Sequence, residues 1–155
     1  MGILLPLESS VHPLQARFVR RREHGPPGAP EEALADRGTL AAVRILVYEH
    51  VTGGGYAGAP LPLEMAAQGY AMVIAALGAF ASVPGHRVVV LHDARIPADA
   101  LPAHTHFPVG PMQWRTRLLE AIDDVQAVLV IAPETGGVLA DLTAEVEART
   151  AVCTR

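Results

Sequence analysis

Residues 43–58 read VRILVYEHVTGGGYAG, and the fold turns on how this stretch is interpreted. Its first half, VRILVYE, is short, β-branched and almost continuously apolar, as expected of a strand covered on both faces. Its second half carries the spacing GxGxxG at Gly53, Gly55 and Gly58, which raises a dinucleotide-binding turn. In that motif a helix opens on the glycines with its N-terminus towards a pyrophosphate, and an acid about 20 positions later holds the ribose. Here Pro60 and Pro62 push the helix start beyond the last glycine, and Asp93 lies much farther along. NAD or FAD binding is therefore set aside, leaving a glycine loop between a first strand and a helix.

Working outward, residues 62–82 place Leu63, Ala66, Ala67, Tyr70, Val73, Ile74, Leu77 and Phe80 at helical spacing. Pro62 suits the first turn, Glu64 complements the positive end of the dipole, and Pro84-Gly85 bars the helix from running on. HRVVVLHD at 86–93 reads as a second strand, AHTHFPV at 103–109 as a weaker third and QAVLVIAP at 126–133 as a buried fourth. Between the last two, residues 112–125 form a helical pattern with Trp114, Leu118 and Ile122 on one stripe, and an amphipathic helix closes the chain. Strands separated by helices imply crossover connections. The expected fold is α/β: a three-layer, Rossmann-like, mostly parallel sheet of about four strands, with helices on both faces. It spans residues 39–150, with 151–155 as a tail.

Residues 1–38 differ in character. FVRRREHGPPGAPEEALADRG joins a basic cluster, a Pro/Gly segment and an acidic patch without apolar periodicity. This reads as a disordered or loosely attached N-terminal extension. A short helix fits Pro30–Arg37, and Arg20, Arg21 and Arg22 read as a solvated charge run.

The 155 residues suit one domain, and a net charge of -4 with a pI near 5.9 argues against a nucleic-acid reader. Every basic side chain other than histidine is arginine, so a phosphate loop that depends on lysine cannot be built from this chain. The single Cys153 cannot form an internal disulfide and suits a reducing cytoplasm. No signal-like opening and no run of about 18 apolar residues points to a membrane. A cytoplasmic protein is expected.

Open α/β sheets bind ligands beyond the carboxyl ends of their strands. Those ends carry His50 with the glycine loop, His92 with Asp93, and Glu134 with Thr135. His104 and His106 share one face of a strand and could begin a metal site with His92 and Asp93. Without HExxH or CxxC they read instead as exposed or hydrogen-bonding side chains. Glu134, just after a buried strand in APETGG, suits either helix capping, with Thr135 as N-cap, or recognition of a substrate amine. No GxSxG supports a serine nucleophile.

The ordered set VTGGG, Asp93-x-Arg95 and IAPET, within residues 43–148, resembles the N-terminal region of the ATP-grasp ligase family. The nearest likeness is to tyramine-glutamate ligases of methanofuran biosynthesis and their relatives in methylotrophic bacteria. The resemblance implies ATP-dependent carboxylate-amine ligation through an acyl phosphate, with magnesium on the nucleotide phosphates. It implies that Gly53, Gly54, Gly55, Asp93, Glu134 and Thr135 line the substrate side of the cleft, which takes a small amine or amino acid. The ATP-grasp portion, with its phosphate-binding lysines and metal-binding acids, would lie beyond Arg155 or on a partner chain. By itself this chain is then expected to bind no cofactor and to be catalytically silent, and its uncovered apolar faces to let it self-associate. The alternative is a non-enzymatic small-molecule-binding or regulatory α/β module.

Overall fold

The computed structural model describes residues 14–21 and 43–152. Five strands form one sheet: β1 (Leu14–Arg20), β2 (Arg44–Glu49), β3 (Arg87–Asp93), β4 (Thr105–Val109) and β5 (Ala127–Pro133). Three helices connect and cover them: α1 (Leu63–Ala81), α2 (Trp114–Asp123) and α3 (Val138–Val152). The order across the sheet is β1-β5-β2-β3-β4. β5, β2, β3 and β4 are parallel, and β1 runs antiparallel to β5.

Alternation along the central strands sorts the core into two layers. Val47, Val88, Val90 and Ile131 point to one face and meet Val73 and Leu77 of α1. Leu46, Val89, Leu91, Val128 and Val130 point to the other, against Leu118 and Ile122 of α2 and Leu142 and Val146 of α3. Both faces are dry, which is why VRILVYE, RVVVLHD and AVLVIAP lack the polar alternation of a half-exposed sheet. The three-layer α/β expectation holds.

β1 departs from the sequence reading. It falls within residues 1–38, read as disordered or loosely attached, yet Leu14–Arg20 is a seven-residue edge strand. The register from Leu14 opposite Pro133 to Arg20 opposite Ala127 is carried by backbone pairing. Only Leu14 and Val19 are buried, one on each face, while Gln15, Ala16, Arg17 and Phe18 are exposed. With a single apolar anchor per face, no periodicity could reveal the strand, and its arginines suit an edge that must not pair further. The rest of that extension, including the helix expected at Pro30–Arg37, lies outside the described residues, as does Cys153.

α1 is apolar almost all round. By length and composition its 19 residues could cross a membrane, a property the sequence reading did not assign. Its place is on the sheet, as the crossover between the parallel neighbours β2 and β3, with Gly69, Val73 and Leu77 buried.

Candidate functional site

Strand order singles out one place on the rim. From β2 the chain moves through α1 to β3 and β4 on one side, then returns through α2 to β5 on the other. The connections that leave the carboxyl ends of the neighbours β2 and β5 therefore run to opposite faces, α1 on one and α3 on the other, and the crevice between them is where such sheets take ligands. The turn at Val51–Gly55, which follows β2 directly, lies on the other side of β2, against β3, β4 and α2.

Glu49, the last residue of β2, organises that turn. Its side chain is fully buried, and its carboxylate accepts the backbone N–H of Val51 (2.9 Å), the N–H of Thr52 (2.6 Å) and the Thr52 hydroxyl (2.6 Å). These bonds satisfy the first donors of the turn as a capping residue would. Burial pushes the Glu49 carboxyl above its usual range, and the three donors only partly offset this. Gly69 of α1 makes the room: a β-carbon there would sit 2.5 Å from Oε2 of Glu49.

The turn closes with the Gly55 N–H donating to the His50 carbonyl at 2.9 Å, a bond spanning five residues. Such wide turns are rare and recur at functional sites. Gly54 has φ +100°, which L side chains avoid. Gly53 and Gly54 are buried, and a β-carbon would meet the Tyr48 ring at 2.7 Å from Gly53 or Val109 Cγ1 at 2.5 Å from Gly54. Packing demands both glycines, and Gly55 follows at the partly buried end of the turn.

Aromatic side chains pack around it. Tyr48 lies parallel to Trp114, with centroids 6.4 Å apart, while His50 meets Trp114 edge-on at 5.2 Å and Tyr56 at 6.2 Å. Burial raises the Tyr48 phenol and lowers the His50 imidazole. The phenol thus keeps its proton at neutral pH and can donate it to Nδ1 of neutral His50, 3.0 Å away.

Asp93 ends β3 on the same rim. Its buried carboxylate accepts the N–H (2.9 Å), Nε (2.8 Å) and Nη2 (2.7 Å) of Arg95. The half-exposed Arg95 also donates to the carbonyls of Ala59 (2.9 Å) and Tyr56 (3.0 Å). Asp93 and Arg95 together staple the segment after the glycine turn onto β3. Arg95 holds the Asp93 carboxyl below its usual range, against the opposing effect of burial. A carboxyl depressed in the fold adds stability above its unfolded pKa and loses it as pH falls through the folded pKa. Asp93→Asn should therefore flatten the acid side of the stability-pH profile below about pH 4. Urea melts between pH 2 and 7 check this, and parallel profiles for wild type and variant would refute it.

Glu134 and Thr135 follow β5. Both are exposed, and Thr135 sits in a short 3-10 turn ahead of α3 without a side-chain cap bond. The capping role open to Thr135 in the sequence is not realised. Neither side chain has a hydrogen-bond partner among the described residues. Glu134 borders a groove of about 250 Å3 between β1 and α3, whose wall includes Arg17, Gln15, Thr143 and Glu147. The groove joins two acids to one base on the β1 side of β5.

Residues 86–153 match the pre ATP-grasp 3 domain family. The match supports the N-terminal, pre-ATP-grasp region of ATP-grasp ligases. Comparison with curated proteins and with solved structures gave no match. The matched span runs from the start of β3 through α3, so it holds Asp93, Glu134 and Thr135, whereas Gly53, Gly54 and Gly55 precede it.

Within the matched span the histidines separate. His104 is exposed, and its Nδ1 accepts the Val88 N–H at 3.0 Å, whereas His92 and His106 meet edge-on with centroids 5.8 Å apart. Among the described residues, side chains suited to a nucleotide-magnesium site do not assemble. The sequence has no lysine, the backbone of Gly53 and Gly54 lies beneath side chains, and no group of three or more His, Cys, Asp or Glu side chains converges among the described residues.

Glu49 was missed by the sequence reading, although a signal existed. It is the acid that ends the apolar run ILVY, two and three residues ahead of the N–H groups it accepts.

Proposed function

We propose that this chain supplies the substrate-side domain of an ATP-grasp carboxylate-amine ligase of the tyramine-glutamate ligase kind. ATP and magnesium belong to an ATP-grasp portion, carried beyond this sequence or by a partner chain. The observation that carries the reading is the unpaired Glu134 carboxylate at the carboxyl end of β5, within the matched span and bordering the groove on the β1 side of that strand. A carboxylate there can hold the ammonium form of an amine substrate, and Arg17 across the groove can meet a carboxylate.

The assay is ATP-dependent phosphate release with tyramine and glutamate, for this chain joined to an ATP-grasp portion and for the chain alone. Turnover is expected only from the joined form. Glu134→Gln should raise KM for the amine roughly 10-fold or more, the worth of one charge-assisted hydrogen bond, with an unchanged melting temperature. An unchanged KM removes Glu134 from the substrate site, and turnover by the chain alone removes the division of labour. Ligand binding with no turnover in either form would favour the non-enzymatic binding module.

A further inference from the structure

His92 and His106 leave two lone pairs unanswered inside the protein. His92 Nδ1 lies 3.1 Å from the carbonyl of Asp93, and His106 Nε2 lies 3.2 Å from the carbonyl of Ala103. A carbonyl only accepts, so each of these nitrogens must carry the proton. In the neutral rings that fixes both tautomers and leaves His92 Nε2 and His106 Nδ1 as bare acceptors. Both atoms are buried, and neither has a hydrogen-bond partner among the described residues. His92 as a whole is only 4% exposed.

A metal-binding imidazole has the same arrangement: one nitrogen ligates while the other donates to a backbone carbonyl that fixes the ring. The spacing fits as well. An ion about 2.0 Å from one nitrogen of each ring sets the centroids about 5 Å apart at a tetrahedral angle, and about 6 Å apart with the bonds opposed. The observed 5.8 Å, with the ring planes at 80°, falls between these two separations.

The geometry points to a two-histidine pincer, His92 Nε2 and His106 Nδ1, that binds a monovalent two-coordinate cation of the Cu(I) class. Charge and ligand count select the ion. Asp93, the nearest acid in the chain, is committed to Arg95, and among the described residues no third His, Cys, Asp or Glu joins the pair. A neutral pair leaves a buried dication uncompensated and short of the four ligands zinc takes, whereas a monovalent ion bears half that charge and is content with two imidazoles. This inference stands independently of the ligase reading.

The experiment titrates Cu(I) into the full chain, anaerobically and against a chromophoric Cu(I) chelator, in a Cys153→Ser background that removes the only thiol. Uptake of one ion per chain is expected, with X-ray absorption showing nitrogen and no sulfur around copper. His92→Asn retains a donor towards Asp93 O, and His106→Gln retains one towards Ala103 O. Each should weaken binding roughly 10–100-fold, while His86→Gln leaves it unchanged. If a variant fails to fold, long-range proton-nitrogen spectra of the Cys153→Ser chain give an independent reading. Ag(I) should then shift His92 Nε2 and His106 Nδ1 and leave His86 and His104 unmoved. A sulfur ligand, unchanged affinity in both folded variants, or Ag(I) shifts confined to other histidines would overturn the proposal and leave the two lone pairs to a bridging water.

Discussion

Gly54→Ala should lower the urea midpoint of unfolding by about 1–3 M, given a typical m-value of 1–3 kcal/mol/M and a loss of about 3 kcal/mol. Two costs combine. At φ +100° an L side chain is strained by roughly 1–2 kcal/mol. The new methyl must also enter space held by the Val109 side chain, 2.5 Å away, and by Trp114 Cβ at 3.3 Å. Overpacking of this kind costs about 1–3 kcal/mol. Gly78 is the internal contrast: it lies in α1, and nothing stands within 4 Å of a β-carbon built there. Gly78→Ala should stabilise by about 0.5–1 kcal/mol, because alanine loses less backbone freedom in a helix. Equal midpoints for Gly54→Ala and wild type would show that the turn is free to repack, and the packing account of VTGGG would fall with that result.

Gly69→Ala should be of similar size, about 2–5 kcal/mol, with the overpacking term joined by loss of buried hydrogen bonds. The obstacle is the Glu49 carboxyl, 2.5–3.0 Å from the new methyl. The end of a long side chain would ordinarily swing aside, but this one is buried and holds two backbone donors and a hydroxyl of the turn. Moving it unmakes the turn. In a Glu49→Ala background the methyl has vacated space to fill, so the same substitution should cost less, with a coupling of about 0.5–3 kcal/mol. Additive effects would show that Glu49 and Gly69 do not share the space. Glu49 also has a pH signature opposite to that of Asp93. A carboxyl raised in the fold binds more protons folded than unfolded between the two pKa values, so its ionisation subtracts stability as pH rises. Glu49→Gln should remove this decline above about pH 4.3, which the same urea melts measure.

The two residues show why the site was only partly legible. The glycines announce themselves in sequence because few other uses explain three in a row, yet sequence could not say whether they face a ligand or a wall. The wall is Tyr48, Val109 and Trp114, contributed by β2, β4 and α2. Asp93 and Arg95 were visible as a pair, but their grip on the carbonyls of Tyr56 and Ala59 spans more than 30 residues of chain. Glu134 and Thr135 were placed correctly at the end of a buried strand, since an apolar run ending at Pro133 fixes where the rim begins.

What the sequence determined by itself is the α/β class, the helices and the four parallel strands, because local periodicity and continuous apolar runs encode burial on one face or two. It also ruled out a lysine-based phosphate loop, since no lysine exists to build one. Tertiary structure alone decided that β5 inserts beside β2, that Leu14–Arg20 completes the sheet, that Glu49 is locked under Gly69, and that two histidines 14 positions apart meet edge-on. The reason is physical. Strand order, edge pairing and buried polar contacts arise from backbone hydrogen bonds and from free volume between distant segments, and neither leaves a period in the chain.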